Sequence, residues 1–88
     1  MNDAIIISYN PYELEQTVTL HQNGKMIQSR VYSDVETLAN ELIGLAYQYS
    51  IYNVKIHGPY SIESEISDQI NKREQATYSQ SKITVEGI

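Results

Sequence analysis

SDVETLANELIGLAYQYSIYNVKIHGPY, residues 33–60, runs without a break through the pattern of an amphipathic helix, a turn, a buried strand and a Gly-Pro loop. Val35, Leu38, Ala39, Leu42, Leu45, Ala46 and Tyr49 recur at the three-and-four spacing that gathers them on one helical face. Ser33 and Glu36 have the spacing of a capping box, in which the serine hydroxyl accepts from the Glu36 amide and the Glu36 carboxylate accepts from the Ser33 amide. Asp34 adds negative charge to the first turn, where the helix dipole favours it. After Ser50 the period shortens to two in Tyr52-Asn53-Val54-Lys55-Ile56, so the helix hands over to a strand.

Towards the amino terminus lies a hairpin. Asn23-Gly24 separates two alternating segments and supplies the positive φ angles of a type I′ turn. Pairing outward from that turn sets Gln22 against Lys25, Leu20 against Ile27, Val18 against Ser29 and Gln16 against Val31. Leu14, Val18, Leu20, Ile27 and Val31 then share a core face, and Thr17, Thr19, His21, Met26, Gln28, Arg30 and Tyr32 share the other. Before the hairpin, the run of Ile5, Ile6 and Ile7 offers apolar side chains in both directions, as a central strand covered on both faces does. Asn10-Pro11-Tyr12 ends that strand, since proline cannot donate to a ladder.

Towards the carboxyl terminus, Ile62, Ile66 and Ile70 form a narrow stripe every fourth residue, with acids before them, Lys72 and Arg73 after, and Ser61 as the expected cap. The polar residues 75–81 should end this second helix, and Ile83, Val85 and Ile88 mark a last strand.

The order is therefore βββαβαβ in one domain covering residues 1–88. Each strand after the hairpin arrives through a helix, which predicts parallel pairing by right-handed crossovers. The expected fold is α/β (α+β): a mixed five-stranded sheet in the order 3-2-1-4-5 with two helices. That order is similar to the ribonuclease-H-like fold in a very short version. Members of that fold that cleave nucleic acid hold two divalent metals with carboxylates on the first strand, the first helix and the end of the fourth strand. Here the first strand ends Ser8-Tyr9-Asn10 and the fourth ends Ile56-His57, so only Glu36 or Glu41 could stand at the helix position. The resemblance therefore implies a domain without the nuclease chemistry.

Composition narrows the function classes further. A chain of 88 residues buries only about 60–65% of its unfolded surface, which limits it to one modest core. With no cysteine, neither a disulfide framework nor a thiolate metal site supports that core. The start, MNDAIIISYN, has neither the basic residues nor the apolar length of a secretory leader, so a cytoplasmic protein with no membrane span is expected. A net charge of −5, with six scattered Lys and Arg, argues against direct nucleic-acid binding, which needs clustered cations. His21 and His57 have no ligand-spaced partners, so no metal and no cofactor are expected, and neither a nucleophile elbow nor a Gly-rich phosphate loop occurs.

Two candidate surfaces remain. One is the edge beyond the parallel strands, where Tyr9, Asn10 and Tyr12 should meet His57, Gly58, Tyr60 and Ser61, with Gly58 permitting close approach. The other is a contact surface. The chain has eight tyrosines and neither Phe nor Trp, and this amphipathic ring suits core margins and interfaces. Met26, Arg30 and Tyr32 on the hairpin, and Tyr47, Tyr49 and Tyr52 around the end of the first helix, are the expected interface residues. The expected function is a small non-catalytic module that binds itself or another protein, like the compact acidic accessory proteins of bacteria and their phages. The alternative is a ligand-binding or degenerate nuclease-like domain using residues 9–12 and 57–61.

Overall fold

A right-twisted sheet and a right-handed crossover together dictate on which side of the sheet a connecting helix lies. In the computed structural model, which describes residues 3–88, the elements are β1 (Ala4–Asn10), β2 (Glu15–Gln22), β3 (Lys25–Tyr32), α1 (Val35–Tyr49), β4 (Asn53–His57), α2 (Tyr60–Tyr78) and β5 (Thr84–Gly87). Met1 and Asn2, which open the stretch inspected for a leader, lie outside the described residues. The sheet order is β3-β2-β1-β4-β5, as the sequence predicts, with β1 antiparallel to β2 and parallel to β4. The crossovers from β3 to β4 and from β4 to β5 step across the sheet in the same direction, so one hand places both helices on the same face.

That single face holds the core. Ile5 and Ile7 of β1, Val18 and Leu20 of β2, and Val54 and Ile56 of β4 form one buried cluster with Leu38, Leu42 and Ala46 of α1 and Ile66 and Ile70 of α2. The expectation that β1 is covered on both sides is corrected: Ile6, Thr19 and Lys55, which lie side by side on the opposite face, are only half-buried, and Ser8 is exposed. Two helices reached by crossovers of the same direction leave nothing for the second face. Among the described residues no helix is long and apolar enough to cross a membrane.

The hairpin turn is as expected, with φ of 56° at Asn23 and 78° at Gly24. The pairing beyond it is not. Gln22 meets Lys25 and His21 meets Met26, but the register then shifts, so that Leu20 meets Gln28, Val18 meets Arg30 and Gln16 meets Tyr32. Ile27 is the extra residue of a β-bulge, and the residues after it change sides. Ile27 and Val31, expected in the core, are 45% and 57% exposed. Gln28, Arg30 and Tyr32, expected outside, share the helix-covered face instead. The physical reason lies in α1: burying the Tyr32 ring removes more apolar surface than burying Val31, and its hydroxyl finds the Glu41 carboxylate at 2.6 Å. Leu14 is also corrected, since it sits before β2 at φ 55° and is 65% exposed.

The helix ends differ in detail from the expected ones. Asp34, not Ser33, caps α1: its Oδ2 accepts from the Thr37 amide at 3.0 Å and from the Thr37 hydroxyl at 2.7 Å. The Thr37 hydroxyl, more than the amide, holds the Asp34 carboxyl below the usual carboxylate range. Both residues are good caps, and the charged one is better matched to the helix dipole. Pro59 precedes α2 directly, and its carbonyl accepts from the Ile62 and Glu63 amides, so Ser61 lies inside the first turn and is not the cap. The helix ends at Tyr78, within the polar residues 75–81 expected to stop it, and leaves Lys72 and Arg73 short of its last turn.

Replacing Gly24 by Val forces a β-branched residue to a φ of 78°, and the expected loss is about 1 kcal/mol or more in a urea titration. An unchanged unfolding midpoint would rule out a requirement for glycine in this turn.

Candidate functional site

Parallel pairing sets Ser8 against His57, so the loops that follow β1 and β4 emerge side by side at one edge of the sheet. The structure therefore brings together the residues expected there. Tyr9 lies under Gly58, where an added Cβ would stand 3.0 Å from the Tyr9 Cβ, so the glycine does allow a close approach. Asn10 is occupied by its own turn: its Oδ1 accepts from the Tyr12 amide at 2.9 Å and the Glu13 amide at 3.4 Å. Tyr12 and Tyr60 are 94% and 80% exposed, and His57 and Ser61 are exposed beside them. The edge is an open surface of rings and a histidine.

Among the described residues no group of three or more His, Cys, Asp and Glu is arranged to hold a metal ion. His21 is half-buried at the hairpin, its Nε2 3.2 Å from the Thr19 hydroxyl, far along the sheet from exposed His57. Glu41, one of the two acids at the helix position, is committed to Arg30 at 3.1 Å and to Tyr32. Burial, and then the bond to Glu41, raises the Tyr32 hydroxyl above its ordinary pKa.

Arg30 and Tyr32 thus line a groove of about 320 Å³ between the edge strand and α1, with Gln28 on the same wall and Glu41, Gly44 and Gln48 on the other. Gly44 sits in mid-helix with nothing within 4 Å of where its Cβ would be. Met26 is as expected, 59% exposed on the open face.

The tyrosines around the end of α1, expected at an interface, also pack within the chain. Tyr47 stacks on Tyr78 of α2 with ring centroids 3.8 Å apart and meets Tyr52 edge-on at 5.3 Å. Lys82 lies 5.4 Å from the Tyr52 ring centroid, over its face. Tyr49 is half-buried against the core. The Tyr47 hydroxyl donates to Glu74 at 2.5 Å, and burial together with that carboxylate pushes its pKa up to about 12.

Glu74 was not among the residues the sequence singled out. It is fully buried, and it accepts from Tyr47 and from the amides of Lys82, at 2.9 Å, and Ile83, at 3.2 Å. The signal was present: Glu74 is the next step of the stripe Ile62, Ile66, Ile70. A further buried group is Gln16, set between Tyr9 and Tyr32 on the helix-covered face, whose Oε1 has no protein partner.

No protein-family model matches the chain, and no curated protein sequence matches it. The reading of function rests on the residues themselves.

Glu74→Leu leaves three donors without an acceptor in a dry site, and the expected cost is about 3 kcal/mol of unfolding free energy. Glu74→Gln keeps one acceptor oxygen for the two amides and should cost clearly less. Equal midpoints for the two variants would mean that the retained acceptor oxygen does not matter. Because the Tyr47 hydroxyl titrates higher in the folded chain, its contribution is complete below the ordinary phenol pKa of 10.0 and is lost as the pH rises through about 12. Tyr47→Phe should therefore show a shallower loss of stability than the parent protein in alkaline denaturation.

Proposed function

We propose that this chain is a small non-catalytic module that works by contact, first with copies of itself, and that it belongs to the kind of compact acidic accessory protein made by bacteria and phages. The observation that carries this reading is the bare sheet face beside β3. Met26, Ile27 and Val31 are all exposed there, at 59%, 45% and 57%, next to half-buried Ile6 and the threonines of β2. Apolar residues gathered on one strand, with the helices all on the other side, favour a partner over water. A domain with one thin core also gains stability by burying surface between copies.

A cytoplasmic setting fits a chain without cysteine. The absence of acids at the ends of β1 and β4 argues against metal-dependent cleavage of nucleic acid. A second reading, a binding edge formed by residues 9–12 and 57–61, is favoured by the exposed rings of Tyr12 and Tyr60 and by Leu14, an exposed leucine held at φ 55°.

Sedimentation or light scattering tests the first reading. The mass should exceed that of one 10.1 kDa chain at micromolar concentration, and Val31→Lys should return it to one chain without loss of the circular dichroism signal. A single-chain mass at high concentration overturns self-association. Cleavage of DNA or RNA by the purified protein with manganese, lost on Glu36→Gln or Glu41→Gln, overturns the non-catalytic part.

A further inference from the structure

The sheet ends on one side at β3, eight residues long, and on the other at β5, four residues long. A strand at an edge carries a row of backbone donors and acceptors with no partner on its outer side. On β3 that row spans the full hairpin arm and contains no proline. Edge strands of this kind accept another strand.

We infer that β3 pairs antiparallel with β3 of a second copy, about a two-fold axis normal to the sheet and passing through Ser29. This rests on the reading that the protein acts by self-association, and it places that association at the edge of the sheet, where exposed Ile27 and Val31 meet across the seam while the open face itself stays uncovered. Such an axis keeps the helices of both copies on one side and joins the two sheets into one.

The register follows from the residues. A two-fold normal to the sheet keeps each side chain on its own face, so directly opposed residues must belong to the same face. Beyond the bulge, Gln28, Arg30 and Tyr32 lie on the helix side and Ser29 and Val31 on the open side. Only pairings in which one residue opposes its own copy satisfy this rule. Centring on Arg30 sets two like charges face to face, which is destabilising. Centring on Gln28 sets Arg30, on the helix side, against Met26, on the open side, at the second pair from the axis, whereas centring on Ser29 defers that mismatch to the third pair, Tyr32 against Met26, where the strand ends. Centring on Ser29 sets Gln28 against Arg30 of the second copy, an amide against a guanidinium, and Val31 against Ile27 of the second copy, both apolar and exposed in one chain.

The groove makes room for this seam. Gly44 leaves open space on the flank of α1 above β3 for the long side chains of Gln28 and Arg30, with Arg30 already held to Glu41 of that helix at 3.1 Å. Among the described residues nothing lies within 4 Å of the Gly44 Cβ position, although glycine in mid-helix costs stability relative to alanine.

The chain has no cysteine, so a single introduced thiol reports its own surroundings. In the proposed pair the two copies of residue 29 are directly opposite, at a separation of about 4.5–5.5 Å between Cα atoms, within the reach of a disulfide. Ser29→Cys and Ser79→Cys, both at exposed positions, are compared after mild air oxidation at micromolar concentration. Circular dichroism checks that both are folded. The expected result is a covalent dimer for most of the Ser29→Cys protein and little for Ser79→Cys. If the parent chain self-associates but Ser29→Cys cross-links no faster than Ser79→Cys, this pairing is wrong while self-association stands. If the parent chain stays at single-chain mass and Ser29→Cys does not cross-link preferentially, both fail.

Discussion

One apolar layer, pressed between one face of the sheet and two helices, is what every other part of the molecule depends on. Its members are aliphatic almost throughout: Ile5, Ile7, Val54 and Ile56 from the centre of the sheet against Leu38, Leu42, Ile66 and Ile70 from the helices. A chain of 88 residues has material for one such layer and not two. The handedness of the two crossovers decides which face receives it, and the same choice decides which face is left to the solvent or to a partner. The buried face and the open face are thus set by one topological fact.

Where the apolar layer runs out, two glutamates of the helices take over. Glu41 reaches from α1 to Arg30 and Tyr32 at the edge strand, and Glu74 reaches from α2 to Tyr47 of α1 and to the backbone leading into β5. Each joins elements distant in sequence at the margin of the core. Glu74 is the more consequential, because it is fully buried and its partners are main-chain amides, which substitution cannot remove. Tyr47 binds it and is itself packed by the rings of Tyr52 and Tyr78, which accounts for part of the tyrosine enrichment: an aromatic framework whose hydroxyl also serves a carboxylate.

Much of the architecture was legible in the sequence because it is written in periods. The strand order, the turn at Asn23-Gly24 and the amphipathic α1 all follow from alternation, helical spacing and one dipeptide. What escaped has no period. A bulge is a single residue, and alternation read straight through residues 25–32 assigns Ile27 and Val31 to the wrong side. A buried glutamate on a stripe flanked by charges looks solvated until the chain after α2 is seen folding back over it. The edge residues Tyr9, Asn10, His57 and Gly58 were placed correctly because parallel pairing of β1 and β4 requires their loops to be neighbours. The packing of the tyrosines at the end of α1 escaped because periodicity cannot tell a ring stacked on another helix from a ring facing water.

The bulge at Ile27 also has a bearing on how such a fold changes over generations. The bulge inserts a single residue into the hairpin arm, and every side chain after it takes its side of the sheet from that residue. Loss of the Ile27 codon would close the bulge and leave Gln28, Arg30 and Tyr32 on the inner side, because the pairs beyond the bulge already hold that register. In a hairpin of this kind, the bulge absorbs a one-residue change of length that would exchange the two faces anywhere else in the arm. Among sequences that share this strand order, length variation in the hairpin arm is therefore expected at the bulge.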